Sequence, residues 1–587
     1  MKIIKVFSDK QFKNVNFFEG YNVILANIHD TLHKKDTHNL GKTSLLVVID
    51  FLLLGKFDKQ HGLLSNPIFS GQFFYIELLL NNGRYLVIKR GISEPSKISF
   101  KCSEQALSNF TPPTEWDEER LPLDNAKEKL NEYLGFDILP EYLYRRSISY
   151  FLRTQQDYVD VFQLSKFKGK QIDWKPLVFE LLGFEGCLIK QKLQIDDDIN
   201  QEKSKIQTLQ QQANIDIAER DKILGLLDVK KQEKKKTEQE IDKFNFYTQD
   251  TQTVRELVDS IDADLQRLNA EYYHLSYEIK KINRSLAQQS STIRLDKLRK
   301  LYQEVSLFFP EQLSKQFEDL EHFTESISTE RKKYLTENLQ HLTIEFNKLD
   351  TEIKEKQLER SKKVSSLTTD DVYGKFKTCQ KQLAATEGEL QQLRYKLQLI
   401  DQSAAIQEQI ESLQEQRKEC IAQIQGAINK RAHAEINKIF NEIITEVTGT
   451  NAIISIKQIK EGNVQFEADY QKKTTDITTS EGNGTSYKKL LCVAFDLAIL
   501  IHYSSHSFYR FVYHDGVMEG LDNRIKLRLL EVTQRICQEY NLQYILTIID
   551  SDIPHEKEDN TMMFPTNAVC LELNDKDDNG KLFETSF

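Results

Sequence analysis

The sequence predicts an α/β protein in which two strand-bearing flanks are split by a long helical insert, and three observations carry that reading. Nine of the ten prolines lie outside residues 181–553, and the tenth, Pro310, stands alone within that stretch. Proline breaks helices, so its scarcity marks where helices run long. Inside the stretch, apolar residues recur at steps of three and four, the spacing of a coiled-coil seam. Both flanks carry short β-branched and aromatic runs bounded by turn signals. A head assembled from the N- and C-terminal halves, with a long antiparallel coiled-coil hairpin inserted, satisfies all three, because an antiparallel hairpin returns the chain to its starting point.

Composition supports helices. Charged residues make up 29% of the 587 and hydrophobic ones 39%, with only 22 Gly, a balance of long helices rather than disorder or a β-sandwich. The formal net charge of -10 excludes a globally basic nucleic-acid coat, so any DNA contact must be a local, salt-sensitive Lys/Arg patch. The seven cysteines, Cys102, Cys187, Cys379, Cys420, Cys492, Cys537 and Cys570, have no zinc spacing and are expected as reduced, mostly buried thiols. No cleavable leader or stretch of about 18 apolar residues is present, which predicts a cytoplasmic protein with no membrane partner.

Along the chain, residues 1–185 form the first half of the head, with strands expected over Tyr21–Ala26, Phe73–Leu80 and Tyr85–Lys89 and a hairpin turn at Asn82-Gly83. Residues 186–305 make an ascending arm on the beat of Ile195, Ile199, Ile206, Leu209 and Ala213. The phenylalanine-rich segment around Pro310, residues 306–330, reads as the tip. The descending arm, 331–445, carries the seam Leu390, Leu393, Leu397, Ile400, Ile406, Ile410, Leu413, Ile421, Ile424 and Ile428. Arms of about 115 residues would span on the order of 170 Å at the helical rise; a compact helical bundle with the same heptads is the alternative. Residues 446–587 return to strands, including VQFEADY, FYRFVYHD and YILTIID.

The chemistry lies on the flanks. After the strand YNVILAN and a polar stretch comes Leu40-Gly41-Lys42-Thr43-Ser44, opening a strongly apolar helix. In a phosphate loop, N–H groups at a helix start cradle phosphate oxygens, the Lys reaches the β/γ-phosphates and the Thr hydroxyl ligates Mg²⁺. Here Asp36 stands where the usual pattern has glycine. In the other flank FYRFVYHD ends in Asp515, placed as an acidic strand end that would hold Mg²⁺ opposite such a loop. Upstream, Ser480-Glu481-Gly482-Asn483-Gly484 precedes another apolar helix, a second helix start with a hydroxyl and glycine-backed N–H groups.

In this order the chain resembles the ABC-type ATPases of the structural-maintenance-of-chromosomes (SMC), RecN and RecF class. Phe12–Gly55 resembles their first strands and Walker A segment, Ser480–Gly482 a degenerate signature, and FVYHD their Walker B strand, with the Asp515 to Asp522 spacing of their D-loop. Gln155 or Gln156 is similar to the Q-loop residue that senses Mg²⁺ and the γ-phosphate. A nearer likeness is to bacterial SMC-like proteins defined by an uncharacterised C-terminal domain. Their stretched Walker A is matched by Asp36, Asn39, Gly41, Lys42 and Thr43, their HDG-type Walker B by His514-Asp515-Gly516, and their C-terminal pattern by CLELNDKDDNGKLF. Many such proteins belong to anti-phage systems, the Lamassu type among them.

The resemblance implies ATP held with Mg²⁺ by Thr43, Asp515 and Gln155, with nucleotide contacts from Asp36, Asn39, Leu40, Gly41, Lys42, Thr43, Ser44, Ser480, Gly482 and Asp522. It implies a second copy of the chain facing the first through the heads, double-stranded DNA or DNA ends as ligand, and an operon-encoded effector nuclease and small accessory subunit as partners. Two departures bear on hydrolysis. Gly516 replaces the glutamate that usually follows the Walker B Asp, leaving Glu519 as the nearest substitute carboxylate. The switch histidine after YILTIID is absent, with Asp550 as a partial replacement. His29, His33 and His38 are read as solvated loop residues. Lys230, Lys231, Lys234, Lys235 and Lys236 read as a solvated helix face, with DNA phosphate as the alternative; Arg145, Arg146 and Arg153 are further cationic candidates. The expected function is an ATP-gated, DNA-sensing clamp of a defence complex. A RecN-like repair ATPase and a non-hydrolysing nucleotide-dependent scaffold are the alternatives.

Overall fold

A computed structural model describes residues 1–27, 40–58, 62–167, 169, 171–213, 219–243, 251–288, 312–364, 370–471, 484–554 and 566–585. The chain divides into two units, Met1–Asp196 with Gln416–Phe587, and Asp197–Glu415. Its strands are β1 (Lys2–Ser8), β2 (Val15–Asn16), β3 (Tyr21–Asn27), β4 (Phe73–Leu79), β5 (Tyr85–Gly91), β6 (Lys97–Ser103), β7 (Glu118–Pro122), β8 (Leu152–Arg153), β9 (Asn451–Gln458), β10 (Val464–Gln471), β11 (Phe511–His514), β12 (Gln543–Ile549) and β13 (Val569–Asn574). Its helices are α1 (Lys42–Leu52), α2 (Leu123–Leu134), α3 (Gln171–Leu181), α4 (Gly186–Ala213), α5 (Arg220–Asp242), α6 (Thr251–Gln288), α7 (Gln312–Val364), α8 (Asp370–Asn429), α9 (Ala434–Thr448), α10 (Thr485–His502) and α11 (Asn523–Tyr540).

The first unit is the α/β head, and both ends of the chain build it. A five-stranded parallel sheet runs β13-β3-β12-β11-β8, so β3 from the N-terminal flank is seated between β12 and β13 from the C-terminal one. Parallel strands are covered on both faces, which requires continuous apolar runs. Val23–Ala26 and Phe511–Tyr513 are such runs and are buried throughout. Gln543, fully buried, reinforces the closure by accepting from Ile3 N at 2.8 Å and donating to Ile3 O at 2.7 Å. A six-stranded antiparallel sheet, β2-β1-β4-β5-β6-β7, completes the flank. The Asn82-Gly83 signal falls at the β4–β5 connection, where Gly83 adopts φ 84° and its N–H bonds Leu80 O at 3.0 Å. Helix α1 buries Leu45, Leu46, Val48, Ile49, Phe51 and Leu52 in the same core as these sheets.

The second unit is helical. Helix α5 runs antiparallel to α8: Arg220 pairs with Asp401, Lys230 with Glu389 and Lys234 with Glu387. Ile223 and Leu227 pack there against Leu390 and Ile400, with Leu393 and Leu397 alongside, so this part of the sequence-read seam does face a partner. Helices α6 and α7 form a second antiparallel pair over Ile261, Leu265, Leu268 and Ile353. The buried Arg360 guanidinium clasps Asp262 there, with an Nη2–Oδ2 distance of 3.0 Å.

The path differs from one rising and one returning arm. Tyr273 of α6 lies against Gly388 and Lys281 bonds Tyr395 at 3.2 Å, so α6 runs in the same direction as α8 and opposite to α5. The chain therefore turns back between α5 and α6. Antiparallel pairing holds in both helix pairs, with this added reversal of direction between α5 and α6. The segment around Pro310, residues 301–311, lies outside the described residues.

All seven cysteines are free, but only Cys492 and Cys537 are buried and Cys187 is exposed, so the expectation of mostly buried thiols does not hold. Among the described residues no helix is long and apolar enough to cross a membrane.

Candidate functional site

The site forms where α1 begins and β11 ends. Gly41 precedes α1 with φ 105°, a conformation that favours glycine. A Cβ there would also lie 2.5 Å from the Cβ of Leu582, which ties the C-terminal GKLF sequence to the start of this helix. Leu582 is held in place as its N–H bonds Leu40 O at 3.2 Å and its carbonyl accepts from Lys13 N at 2.8 Å. Among the described residues, helix α1 has no side-chain cap and no acidic residue in its first turn. Burial lowers the pKa of the Lys42 ammonium, and the carboxylates of Glu519, Asp515 and Asp552 pull it part of the way back. Ser44 sits half-buried in the same turn.

Thr43 joins the two flanks directly: its Oγ1 donates to Asp515 Oδ2 at 2.8 Å. The other carboxylate oxygen of Asp515 accepts from Thr547 Oγ1 at 2.6 Å, and that hydroxyl in turn accepts from Gly516 N at 2.8 Å. Thr547 went unnoticed in the sequence. Its signal was available, as it is the polar residue inside the apolar run YILTII, one place beyond the residue paired with His514.

Beneath Asp515 lies a buried ionic network. Arg153 Nε and Nη2 each meet an Asp496 oxygen at 2.7 Å, both residues being fully buried. Burial alone would lower Arg153, but Asp496 outweighs it and raises its pKa. His514 bridges Asp496 at 3.1 Å and Tyr544 OH at 2.9 Å, and burial lowers its pKa. Asp515 N bonds Arg153 O at 3.1 Å, so this network sets the height of the strand end. Arg153 is a scaffold cation, therefore, and not a free DNA contact.

Of the two Q-loop candidates, Gln155 is the one placed at the site: its Nε2 donates to Glu519 Oε1 at 2.9 Å. Gln156 is exposed one residue on. Lys489 of α10, which no sequence pattern marks, donates to the carbonyls of Gly516 at 2.9 Å and Glu519 at 3.0 Å. Asp522 caps α11 by accepting from Arg524 N at 3.0 Å. Asp550 is exposed; the neighbouring Asp552 is the acid whose charge reaches Lys42, and it bonds Lys526 at 2.7 Å. Asp36, Asn39, Ser480 and Gly482, together with His29, His33 and His38, lie outside the described residues.

Most of the remaining cationic candidates are engaged in ion pairs, Lys235 and Lys236 being exposed. Arg145 meets Asp50 at 2.8 Å and Arg146 meets Asp173 at 3.1 Å. In the helical unit, Lys231 pairs with Asp228, and Lys230 and Lys234 bridge to α8, which favours the solvated-face reading of that run over a free DNA-binding stripe.

The site thus belongs to an α/β head whose two halves are contributed by opposite ends of the chain, with the Thr43–Asp515 contact joining them at the site. Residues 439–587 match a family described as an uncharacterised protein conserved in bacteria (DUF2326). The chain is similar to the Smc head domain with a coiled coil and joint from Pyrococcus yayanosii, at 15% identity over 93% of this chain and 92% of that one, with a TM-score of 0.36. It is also similar to the Smc head domain with an extended coiled coil bound to the C-terminal domain of ScpA from Pyrococcus furiosus, at 12% identity over 94% and 90%, with a TM-score of 0.32. No curated protein matches the chain.

Proposed function

We propose that this protein is an SMC-like ATPase: a head that binds and hydrolyses ATP and closes, with a second copy, as a nucleotide-gated clamp on DNA. The observation that carries the reading is the Thr43–Asp515 contact at 2.8 Å, a hydroxyl at the first turn of a helix against the carboxylate of a parallel strand end. The donors fit the ligands. Thr43, Asp515 and Gln155 offer hard oxygens of the kind Mg²⁺ takes, while Lys42 and the uncapped start of α1 suit phosphate oxygens. Mg²⁺ would neutralise phosphate charge as the phosphoryl group transfers. Asp515 keeps its orientation through Thr547, and Lys42 supplies a cation whose partial burial strengthens its pull on an anion.

In this reading Ser480 and Gly482 complete the site of the facing copy, and Asp36 and Asn39 are nucleotide contacts, as the motif resemblance implies. ATP then stabilises the closed pair over the open one through contacts that only the closed pair makes. The motif resemblance supports a role as DNA-sensing subunit of an anti-phage complex, with destructive chemistry left to a partner nuclease. Gly516 favours one second reading, a scaffold that binds ATP without turning it over. Light scattering of the purified chain tests the clamp: with ATP and Mg²⁺ the mass should double, and Asp515→Asn should remain at the mass seen without nucleotide. A wild-type mass indifferent to ATP contradicts it.

A further inference from the structure

The residue after Asp515 is where the resembled ATPases carry their water-orienting glutamate, and here a side chain would meet both an unfavourable backbone conformation and the side chain of Gln155. Gly516 has φ +64°, and a Cβ built on it would lie 2.5 Å from Gln155 Nε2, 2.9 Å from its Cγ and 3.0 Å from its Cδ. Positive φ already strains a residue with a Cβ, and Gln155 fills the volume into which that Cβ would project. The same amide nitrogen donates to Glu519 Oε1 at 2.9 Å. A displaced carboxylate position and a new carboxylate are therefore linked through one side chain.

The segment bearing Glu519 is fastened independently of that bond. Lys489 Nζ, from the second turn of α10, donates to Gly516 O and Glu519 O, and Ser486 Oγ donates to Gly520 O at 2.9 Å. Three carbonyls of a five-residue loop are thus held by one helix, which fixes the direction in which Glu519 leaves the backbone. The Glu519 side chain remains half-exposed and open to water.

We infer that Glu519, oriented by Gln155, is the catalytic carboxylate that activates the attacking water, and that Gly516 is glycine because Gln155 occupies the place a side chain there would need. The inference rests on the ATPase reading above. Glu519 accepts the proton of the water as its oxygen forms a bond to the γ-phosphorus; the bond from that phosphorus to the β,γ-bridging oxygen breaks, leaving ADP and inorganic phosphate, and the proton passes to solvent. Toward the attacking water Gln155 acts through Glu519 and is a positioning residue, holding that carboxylate by its amide nitrogen while its amide oxygen is the atom offered to Mg²⁺.

The test combines ATP turnover, ATP affinity by calorimetry and thermal unfolding without nucleotide. Glu519→Gln should lower kcat at least tenfold while the ATP Kd stays within about threefold. Gln155→Ala should lower kcat less, and the double variant should be no slower than Glu519→Gln alone. Gly516→Ala should lower the unfolding midpoint, and adding Gln155→Ala should recover part of that loss, a readout independent of nucleotide. Wild-type protein that binds no ATP overturns the ATPase reading itself. Wild-type protein that turns ATP over at the same rate as Glu519→Gln, or that binds ATP without turnover, overturns this inference and leaves nucleotide binding intact. A Gly516→Ala midpoint equal to wild type overturns the steric link to Gln155.

Discussion

The hydroxyl of Thr43 donates to the carboxylate of Asp515 across 2.8 Å, although 472 residues separate the two in the chain. One lies at the start of a helix following the N-terminal strand β3, and the other ends a strand two places away in the same parallel sheet. Bringing them together requires the whole insert to leave and return, so this contact reports head assembly and site assembly at once. Neither half holds the complete site.

Thr547→Val isolates the support of Asp515. It removes the donor to one carboxylate oxygen while nearly keeping side-chain volume, so a buried acceptor loses its partner. Such losses cost about 1–3 kcal/mol, and chemical denaturation should show a destabilisation in that range. ATP affinity should fall as well, since Asp515 loses its fixed orientation.

Asp496→Ala strips the counter-charge from Arg153, which is fully buried. Breaking a buried ion pair from one side costs about 3–5 kcal/mol. The variant should unfold at clearly lower denaturant than wild type, and Arg153→Lys should also be destabilised because an ammonium cannot make the two-pronged contact.

The pH dependence of stability follows from His514. Burial keeps its pKa in the folded protein below the ordinary 6.5, in a setting shared with Asp496, Arg153, Tyr544 and the ring of Tyr158. As pH falls through 6.5 the unfolded chain takes up a proton that the folded one refuses, so stability is lost on the acid side. Thermal midpoints between pH 7 and pH 5 should fall more steeply for wild type than for His514→Gln.

Gly41→Ala should impair both folding and nucleotide binding, because φ 105° is unfavourable for alanine and the new Cβ meets Leu582 at 2.5 Å. Leu582→Ala in the same chain should recover part of the stability by relieving the clash, leaving the cost of positive φ behind. Unfolding midpoints of the single and double variants check this.

Much of this arrangement was legible from local sequence. Gly41-Lys42-Thr43 opening an apolar helix and Asp515 ending an apolar strand each announce themselves through short-range pattern, and Asp522 through its spacing. Thr547, Asp496 and Lys489 did not, because their roles arise only when separate elements cross: a threonine in a strand and a lysine on a helix have no distinctive spacing. The meaning of Gly516 was half visible. Its departure from the resembled ATPase pattern could be read, but the reason, a glutamine amide 2.5 Å from where its Cβ would be, depends on packing. The turn-back of α6 was hidden for a similar cause, since a heptad seam states that a helix has a partner without saying which one.

The most direct test of the account is calorimetric titration of ATP with Mg²⁺ into wild type, Lys42→Ala and Asp515→Ala. A single pocket built from both ends predicts that wild type binds and that each substitution, one from each flank, weakens binding at least tenfold. A wild type that does not bind, or an Asp515→Ala variant that binds ATP as tightly as wild type, would contradict it.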